Sequence, residues 1–284
     1  MATNPIRNVS DTALWVAVYR AMESERRDAL FHDPYARRLA GARGEAIVAS
    51  IPQGRSMSWA MVVRTVVIDE IVQRCVRDGV RCVLNLAAGL DARPYRLDLP
   101  ASLHWLHVDM PEMVAHFREN MAGETPRCKL EFIAADLRVA ERRREVFAQA
   151  RAYGSLLVIT EGLLIYLEAE QVAELARDLH DVAEARWWLA DLASPMLLKF
   201  LERRWSPKLR DGNAPFLFGP ADSNAFFAPL GWRETEFRSL WDESFRIHRT
   251  MPGAYVWRWL FRLLPAARRE AGRRMSSIVL FERN

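Results

Sequence analysis

Apolar positions recur at helical spacing through the first 80 residues, then gather into short runs separated by helical segments. Asp11 is placed to cap a helix over 12–24, with Leu14, Val18 and Ala21 on one face. Asp33-Pro34 opens a second helix, since proline suits the first helical position. Gly54 precedes a periodic stretch over 55–78, carrying Trp59, Val62, Val63, Val66, Val67, Ile71 and Val72 and ended by Asp78-Gly79.

The texture then changes. Segments 81–87, 103–109, 130–134, 155–160 and 187–192 read as buried strands, and 111–121, 141–151 and 169–185 as helices. Strand and helix in alternation predict a parallel sheet covered on both faces. Residues 195–230 break the rhythm with Pro195, Pro207, Pro215, Pro220 and Pro229 among Phe216, Phe218, Phe226 and Phe227. This stretch reads as an insertion over the sheet edge, a substrate lid. Segments 232–238 and 275–281 read as the last two strands. Segment 255–264 reads as a helix packed on the sheet or the substrate pocket, in preference to one lying on a membrane surface. The expectation is a single domain over 1–284: a helical cap at 1–80, a binding core at 81–194, a lid region at 195–265 and a final strand within 266–284.

Composition narrows the class. Half of the 284 residues are hydrophobic and 27% are charged, which excludes disorder and low-complexity repeats. Three cysteines, none in a CxxC pair, exclude a disulfide scaffold and a thiolate zinc site. His104 and His107 would face opposite sides of a strand, so no shared metal is expected. The net charge is +4, and only three of the 40 basic residues are lysine. Arginine grips carboxylates and phosphates with a planar fork. The basic clusters are scattered and read as solvated helix faces, so no nucleic-acid partner is expected. Residues 1–11 lack an apolar targeting segment, and no apolar run approaches the roughly 20 residues that span a bilayer. The expected location is the cytoplasm, with no membrane partner. Ten tryptophans suggest an aromatic-lined pocket.

Four turns at successive strand ends carry candidate chemistry. Asn85-Leu86-Ala87-Ala88-Gly89-Leu90-Asp91-Ala92-Arg93 follows the first strand, and Gly89 lets a ligand approach the backbone. Ala87 and Ala92 stand where a dinucleotide fingerprint has glycines, so a ligand without a pyrophosphate fits better. Asp109 lies 20 residues beyond Gly89, at the end of the second strand, where an acid accepts from ribose hydroxyls. Asp136 follows the third strand, placed to accept from an adenine amino group while Leu137 packs the ring. Glu161 follows the fourth strand in an apolar setting and would need a cationic partner.

Asn85 to Arg96, His107-Val108-Asp109-Met110-Pro111, Ala135-Asp136-Leu137 and Glu161 to Leu167 together resemble the leucine carboxyl methyltransferase family. The closer resemblance is to its bacterial branch of S-adenosylmethionine-dependent O-methyltransferases. Ser10-Asp11-Thr12-Ala13 through Tyr19-Arg20-Ala21, Asp33-Pro34, and Arg64-Thr65 with Asp69 resemble that branch too. The resemblance implies a class I, Rossmann-like α/β fold with a seven-stranded, mostly parallel sheet, and S-adenosyl-L-methionine as cofactor. It implies that Arg64 holds the methionine carboxylate and that Gly89, beside Ala87, lies under the methionine part. Asp109, next to Met110, would hold the ribose, and Asp136 and Leu137 would bracket the adenine. Glu161 would sit near the cofactor's amino end, with Arg20 near a basic contact. Many members have glycine at the position of Ala87. The alanine here is expected to take a negative φ.

The function expected is O-methylation of a carboxylate or phenol on a small metabolite, such as a polyketide. A carboxylate is already ionised near neutral pH, so catalysis would be mostly positioning. A phenol would want help with deprotonation, and Tyr166, Tyr19 and His248 are the candidate helpers. Alternatives are methyl esterification of a protein C-terminus, a non-catalytic cofactor-binding protein, and a nicotinamide oxidoreductase.

Overall fold

The computed structural model describes residues 11–50, 58–211 and 215–284, with the backbone alone over 204–211. Ser10 and the expected helix start at Arg55 lie outside the described residues. Strands β1 (Cys82–Leu86), β2 (His104–Asp109), β3 (Lys129–Ala134), β4 (Leu156–Thr160), β5 (Trp187–Ala193), β6 (Trp232–Ser239) and β7 (Ser276–Arg283) form one sheet. Its order is β3-β2-β1-β4-β5-β7-β6. Pairing is parallel from β3 through β5, whereas β7 runs antiparallel to both β5 and β6. Every residue of β1 and β4 is buried, because helices cover both faces of the central strands.

Helices α1 (Asp11–Ser24), α2 (Ala36–Ser50) and α3 (Ser58–Arg77) precede the sheet. α4 (Arg93–Arg96), α5 (Pro111–Asn120), α6 (Ala140–Arg151) and α7 (Ala169–Asp181) fill the connections up to β5. α8 (Pro195–Asp211) and α9 (Ser223–Phe227) lie between β5 and β6. α10 (Leu240–Arg246), α11 (Ala254–Arg262) and α12 (Ala266–Arg273) lie between β6 and β7. On one sheet face, Val146 and Phe147 of α6 and Val172 and Leu175 of α7 pack on Leu84, Val158 and Trp188. On the other, Val67, Ile71 and Val72 of α3 pack on Val83, Leu157 and Leu189. A third cluster joins α1, α2 and α5 through Leu14, Val18, Leu39, Ile47 and Phe117. That cluster hangs the N-terminal helices over the carboxyl ends of the strands.

Three boundaries differ from expectation. α2 begins at Ala36 rather than at Asp33-Pro34. Asp33 serves the turn before it, accepting from the Tyr35 amide at 3.2 Å and, through its carbonyl, from Ala36. α7 stops at Asp181 rather than 185: Glu184 takes φ +48, and the amides of Ala183 and Ala185 turn back onto the Asp178 and Leu179 carbonyls. The largest difference is in 195–230. Pro195 opens the 17-residue α8 instead of breaking the chain, as proline in a first turn allows. Phe227 lies 5.2 Å from Trp188 and 4.7 Å from Phe281 between ring centroids, and Phe218 and Phe226 join the same cluster. These aromatics seal the sheet rather than form a lid, and of the four only Phe216 faces the cleft.

Candidate active site

The sheet changes direction between β1 and β4, and a crevice opens there at the carboxyl ends of the strands. Gly89 takes φ +54, and a Cβ on it would sit 3.0 Å from the Ala13 Cβ of α1, so the turn after β1 requires glycine. Ala87 takes φ +50, which overturns the expected negative φ. The chain must reverse sharply there to bring the Ala88 amide to the Val108 carbonyl, at 3.0 Å, and alanine bears the strain.

Asp109 ends β2 facing this turn. Its Oδ2 accepts from the Gly89 amide at 2.6 Å and its Oδ1 from the Met110 amide at 2.7 Å. Each oxygen keeps a second lone pair for a ligand hydroxyl. Burial nonetheless pushes the carboxyl pKa up. Asp136 and Leu137 line the same crevice beyond β3. Asp136 is held by Arg138, Nη2 to Oδ2 at 2.7 Å, and this exposed partner lowers its pKa.

At the carboxyl ends of β1 and β4 lies a buried charge network. Glu161 meets Arg64 at 3.0 Å and Arg93 at 2.7 Å. Arg64 also donates to Asp191 at 2.9 Å, and Asp191 accepts from the Gly162 amide at 2.7 Å. Arg93 donates to Asp69 at 2.6 Å and Asp91 at 2.8 Å, and Arg96 to Asp69 at 2.6 Å. Burial raises the Glu161 pKa, but Arg93 and Arg64 outweigh it and hold the carboxyl down at about 2. Asp191 moves the other way, raised by burial. Glu161, Arg64 and Asp191 all line the crevice. Sequence reading missed Asp191, whose only signal is an acid inside the apolar run of β5. It also gave no role to Asp91 and Arg93, although both stand in the quoted turn.

Arg20 lines the crevice too, donating to Asp33 at 2.9 Å and to the Leu90 carbonyl at 2.5 Å. Tyr19 and Tyr166 are brought to the same cleft. Burial pushes the Tyr19 phenol up to about 12 and raises Tyr166, so both are protonated near neutral pH and donate rather than accept protons. His248 is exposed beyond α10 and away from the cleft. His116, unremarked in the sequence, lines it, with Nε2 3.0 Å from the Leu39 carbonyl. That nitrogen must carry the proton. His104 stacks on Tyr153 while His107 packs between Phe117 and Phe132, on opposite sides of β2 as expected.

The whole cleft encloses about 2070 Å³. This exceeds the few hundred to about 1,000 Å³ usual for one ligand. Beyond the charged end it is walled by apolar side chains, among them Trp15, Trp59, Met196, Phe200, Trp241 and Trp257. Among the described residues four tryptophans thus face the cleft, whereas Trp105, Trp188 and Trp232 are wholly buried in the core. Among the described residues, no group of acids, histidines and cysteines is arranged to hold a metal ion, and no helix is long and apolar enough to cross a membrane.

A seven-stranded sheet with β7 antiparallel between β5 and β6, and an acid-lined crevice at its switch point, defines the class I methyltransferase fold. The dinucleotide-binding order, parallel throughout, is different. A duf574 family protein from Streptomyces avermitilis shares the fold, at TM-score 0.56 and 13% identity over 95% of this chain and 97% of that one. The family model for leucine carboxyl methyltransferase matches residues 13–180. A relative from Mycobacterium marinum, named "Putative S-adenosyl-L-methionine-dependent methyltransferase", is 31% identical over 258 residues, covering 80% of this chain and 83% of its own. One of the same name from Parafrankia sp. (strain EAN1pec) is 37% identical over 182 residues, 60% of this chain; that match spans 58% of the relative's length. The chain belongs to the leucine carboxyl methyltransferase family, a family of S-adenosyl-L-methionine-dependent methyltransferases.

Proposed function

We propose that the protein is an S-adenosyl-L-methionine-dependent O-methyltransferase whose acceptor is a small, largely apolar metabolite bearing a carboxylate. The observation that carries this reading is a single cleft with two chemistries. One end presents Gly89, Asp109, Asp136 and Glu161 from four adjacent strand ends; the other is a large aromatic chamber.

The donor set fits the cofactor. Asp109 has lone pairs free for ribose hydroxyls, and the left-handed turn at Ala87 and Gly89 leaves the backbone open to close approach. Asp136 and Leu137 stand where an adenine would lie. Glu161 and Asp191, held by Arg64, offer carboxylate for an ammonium, while Arg64 and Arg20 are cations of the same cleft for a carboxylate. When bound, the cofactor supplies an electrophilic methyl group on a sulfonium. The chain's part is to hold the acceptor oxygen in line and to exclude water, which is worth several kcal/mol.

The protons of the cleft support a carboxylate acceptor. Tyr19 and Tyr166 keep theirs, and His116, its Nε2–H on the Leu39 carbonyl, has its Nδ1 lone pair 3.5 Å from the Asn120 amide nitrogen. A carboxylate needs no base, so it suits this cleft better than a phenol. Tyr166, which lines the cleft beside Phe216, is the phenol that would donate to the acceptor.

Calorimetric titration with S-adenosylhomocysteine, with NADH in parallel, tests the reading. Micromolar binding of the first alone is expected. Asp109→Ala should weaken it about tenfold to a hundredfold, because a buried acceptor of ligand hydroxyls is removed, and Asp136→Ala less. NADH binding, or unchanged affinity in both variants, would overturn the site. A screen of apolar carboxylic acids and phenols for methyl transfer then decides the acceptor.

A further inference from the structure

The helix α11 carries more apolar surface than the fold uses. Among the described residues, half of the large apolar side chains more than a third exposed lie between Tyr255 and Leu263. Scattered exposed apolar residues are ordinary on soluble proteins, but a concentration of them is not. Residues on a helix advance by about 100° each, so its faces can be assigned. Trp257, Leu260, Phe261 and Leu264 form the face lining the cleft. Next to them on the outer side come Val256, Trp259 and Leu263, which are 65%, 61% and 68% exposed. Arg258 and Arg262 complete the circumference. A helix that only packs on a core needs an apolar stripe of roughly 100°. Here the apolar surface runs from the cleft wall around to open solvent.

The charges beside this surface identify what covers it. Between Ala254 and Arg274 the chain has six arginines and one carboxylate, Glu270. Arg273 and Arg274 pair with Glu270. Arg258, Arg262, Arg268 and Arg269 have no ion pair among the described residues. Arg258 lies over the Phe245 ring at 4.4 Å, and Arg269 donates to the Arg262 and Leu264 carbonyls. A second copy docking α11 on α11 would bring these arginines against their own kind. An anionic lipid surface would complement them, and tryptophan and tyrosine favour the boundary between headgroup and acyl chain.

We propose that α11 seats the protein on an anionic lipid surface. Val256, Trp259 and Leu263 enter the acyl boundary, and Arg262 and Arg268 meet the phosphates. The inner face of the same helix lines the cleft, so docking sets the cleft mouth at the headgroup layer. An acceptor dissolved in lipid would then reach the chamber without crossing water.

Co-sedimentation with vesicles tests this, using equal parts phosphatidylglycerol and phosphatidylcholine against phosphatidylcholine alone. The protein should sediment with the anionic vesicles and not with the neutral ones, and salt should release it. Replacing Val256, Trp259 and Leu263 together by serine should weaken binding at least tenfold with unchanged thermal melting, since all three are exposed. R262Q with R268Q should weaken it about 30-fold, at about 1 kcal/mol for each arginine near the surface. Failure of the protein to bind anionic vesicles would overturn the proposal, as would equal binding by the serine variant. So would a dimer in sedimentation equilibrium that the serine variant dissociates, because the face would then belong to a second copy. None of these readouts involves methyl transfer, so their failure is separable from failure of the proposed activity.

Discussion

The two ends of the cleft are built on opposite principles. At the strand ends, Arg64, Arg93, Arg96, Asp69, Asp91, Glu161 and Asp191 form a closed set in which every charge has a partner within 3.0 Å. At the other end, Met196 and Phe200 of α8, Met251 before α11, and α11 itself present apolar side chains that little else covers. The first arrangement fixes geometry, because moving any member strands a buried charge. The second leaves room to repack, because dispersion contacts are individually weak and non-directional. A rigid end suits the cofactor proposed there, and an adaptable end suits an acceptor that can differ between relatives.

Arg93 is the keystone of the charged end, buried among Asp69, Asp91 and Glu161. Arg93→Met leaves three carboxylates short of a cation. A loss of about 3–5 kcal/mol is expected, with the urea midpoint as the readout. A loss below about 1 kcal/mol would mean that the network is not the rigid element described.

This contrast also decides what could be read from the chain. Gly89, Asp109, Asp136 and Glu161 were legible because each follows directly on an apolar strand, where local sequence sets position. The sheet, with its seven strands located to within a residue or two, was legible for the same reason. Asp191 and His116 were not: one sits within β5 and the other on α5, and only the fold brings them to the cleft. The prolines of 195–230 misled because proline breaks a helix interior yet begins a helix well, and Pro195 begins α8. The phenylalanines there misled because an aromatic packed on a sheet face and one in a lid look alike without tertiary contacts.

Acid should find the charged end next. The Glu161 carboxyl is held at about 2 instead of its ordinary 4.5, so it stabilises the fold above about pH 4.5. That contribution, up to about 3 kcal/mol, is lost as pH falls through the window down to about 2. Asp109 and Asp191, with raised pKa values, act in the opposite sense and soften the loss. Glu161→Gln should lower stability near neutral pH and flatten the acid limb between those values. A variant with the same acid limb as the parent would remove Glu161 from the network.

Ala87 tests the same end with the opposite sign. At φ +50 alanine costs about 1–2 kcal/mol. Glycine relieves that strain and gives back about 0.4–1 kcal/mol through the unfolded chain. Ala87→Gly should therefore stabilise by about 0.5–1 kcal/mol, or raise Tm by about 1–3 °C. A fall in Tm would mean that the alanine methyl makes a contact worth more than the strain.

Phe200 lines the apolar end and is nearly half exposed, so Phe200→Ala should change stability by less than about 0.5 kcal/mol. If the two ends are independent, it should also leave S-adenosylhomocysteine affinity unchanged, as distant sites without shared partners do. Its effect should fall on KM for the acceptor, because the lost contact is made equally before and during reaction. A weakened cofactor affinity comparable to that of Asp109→Ala would couple the two ends. The aromatic chamber would then be part of the rigid site, and the division of labour drawn between them would not hold.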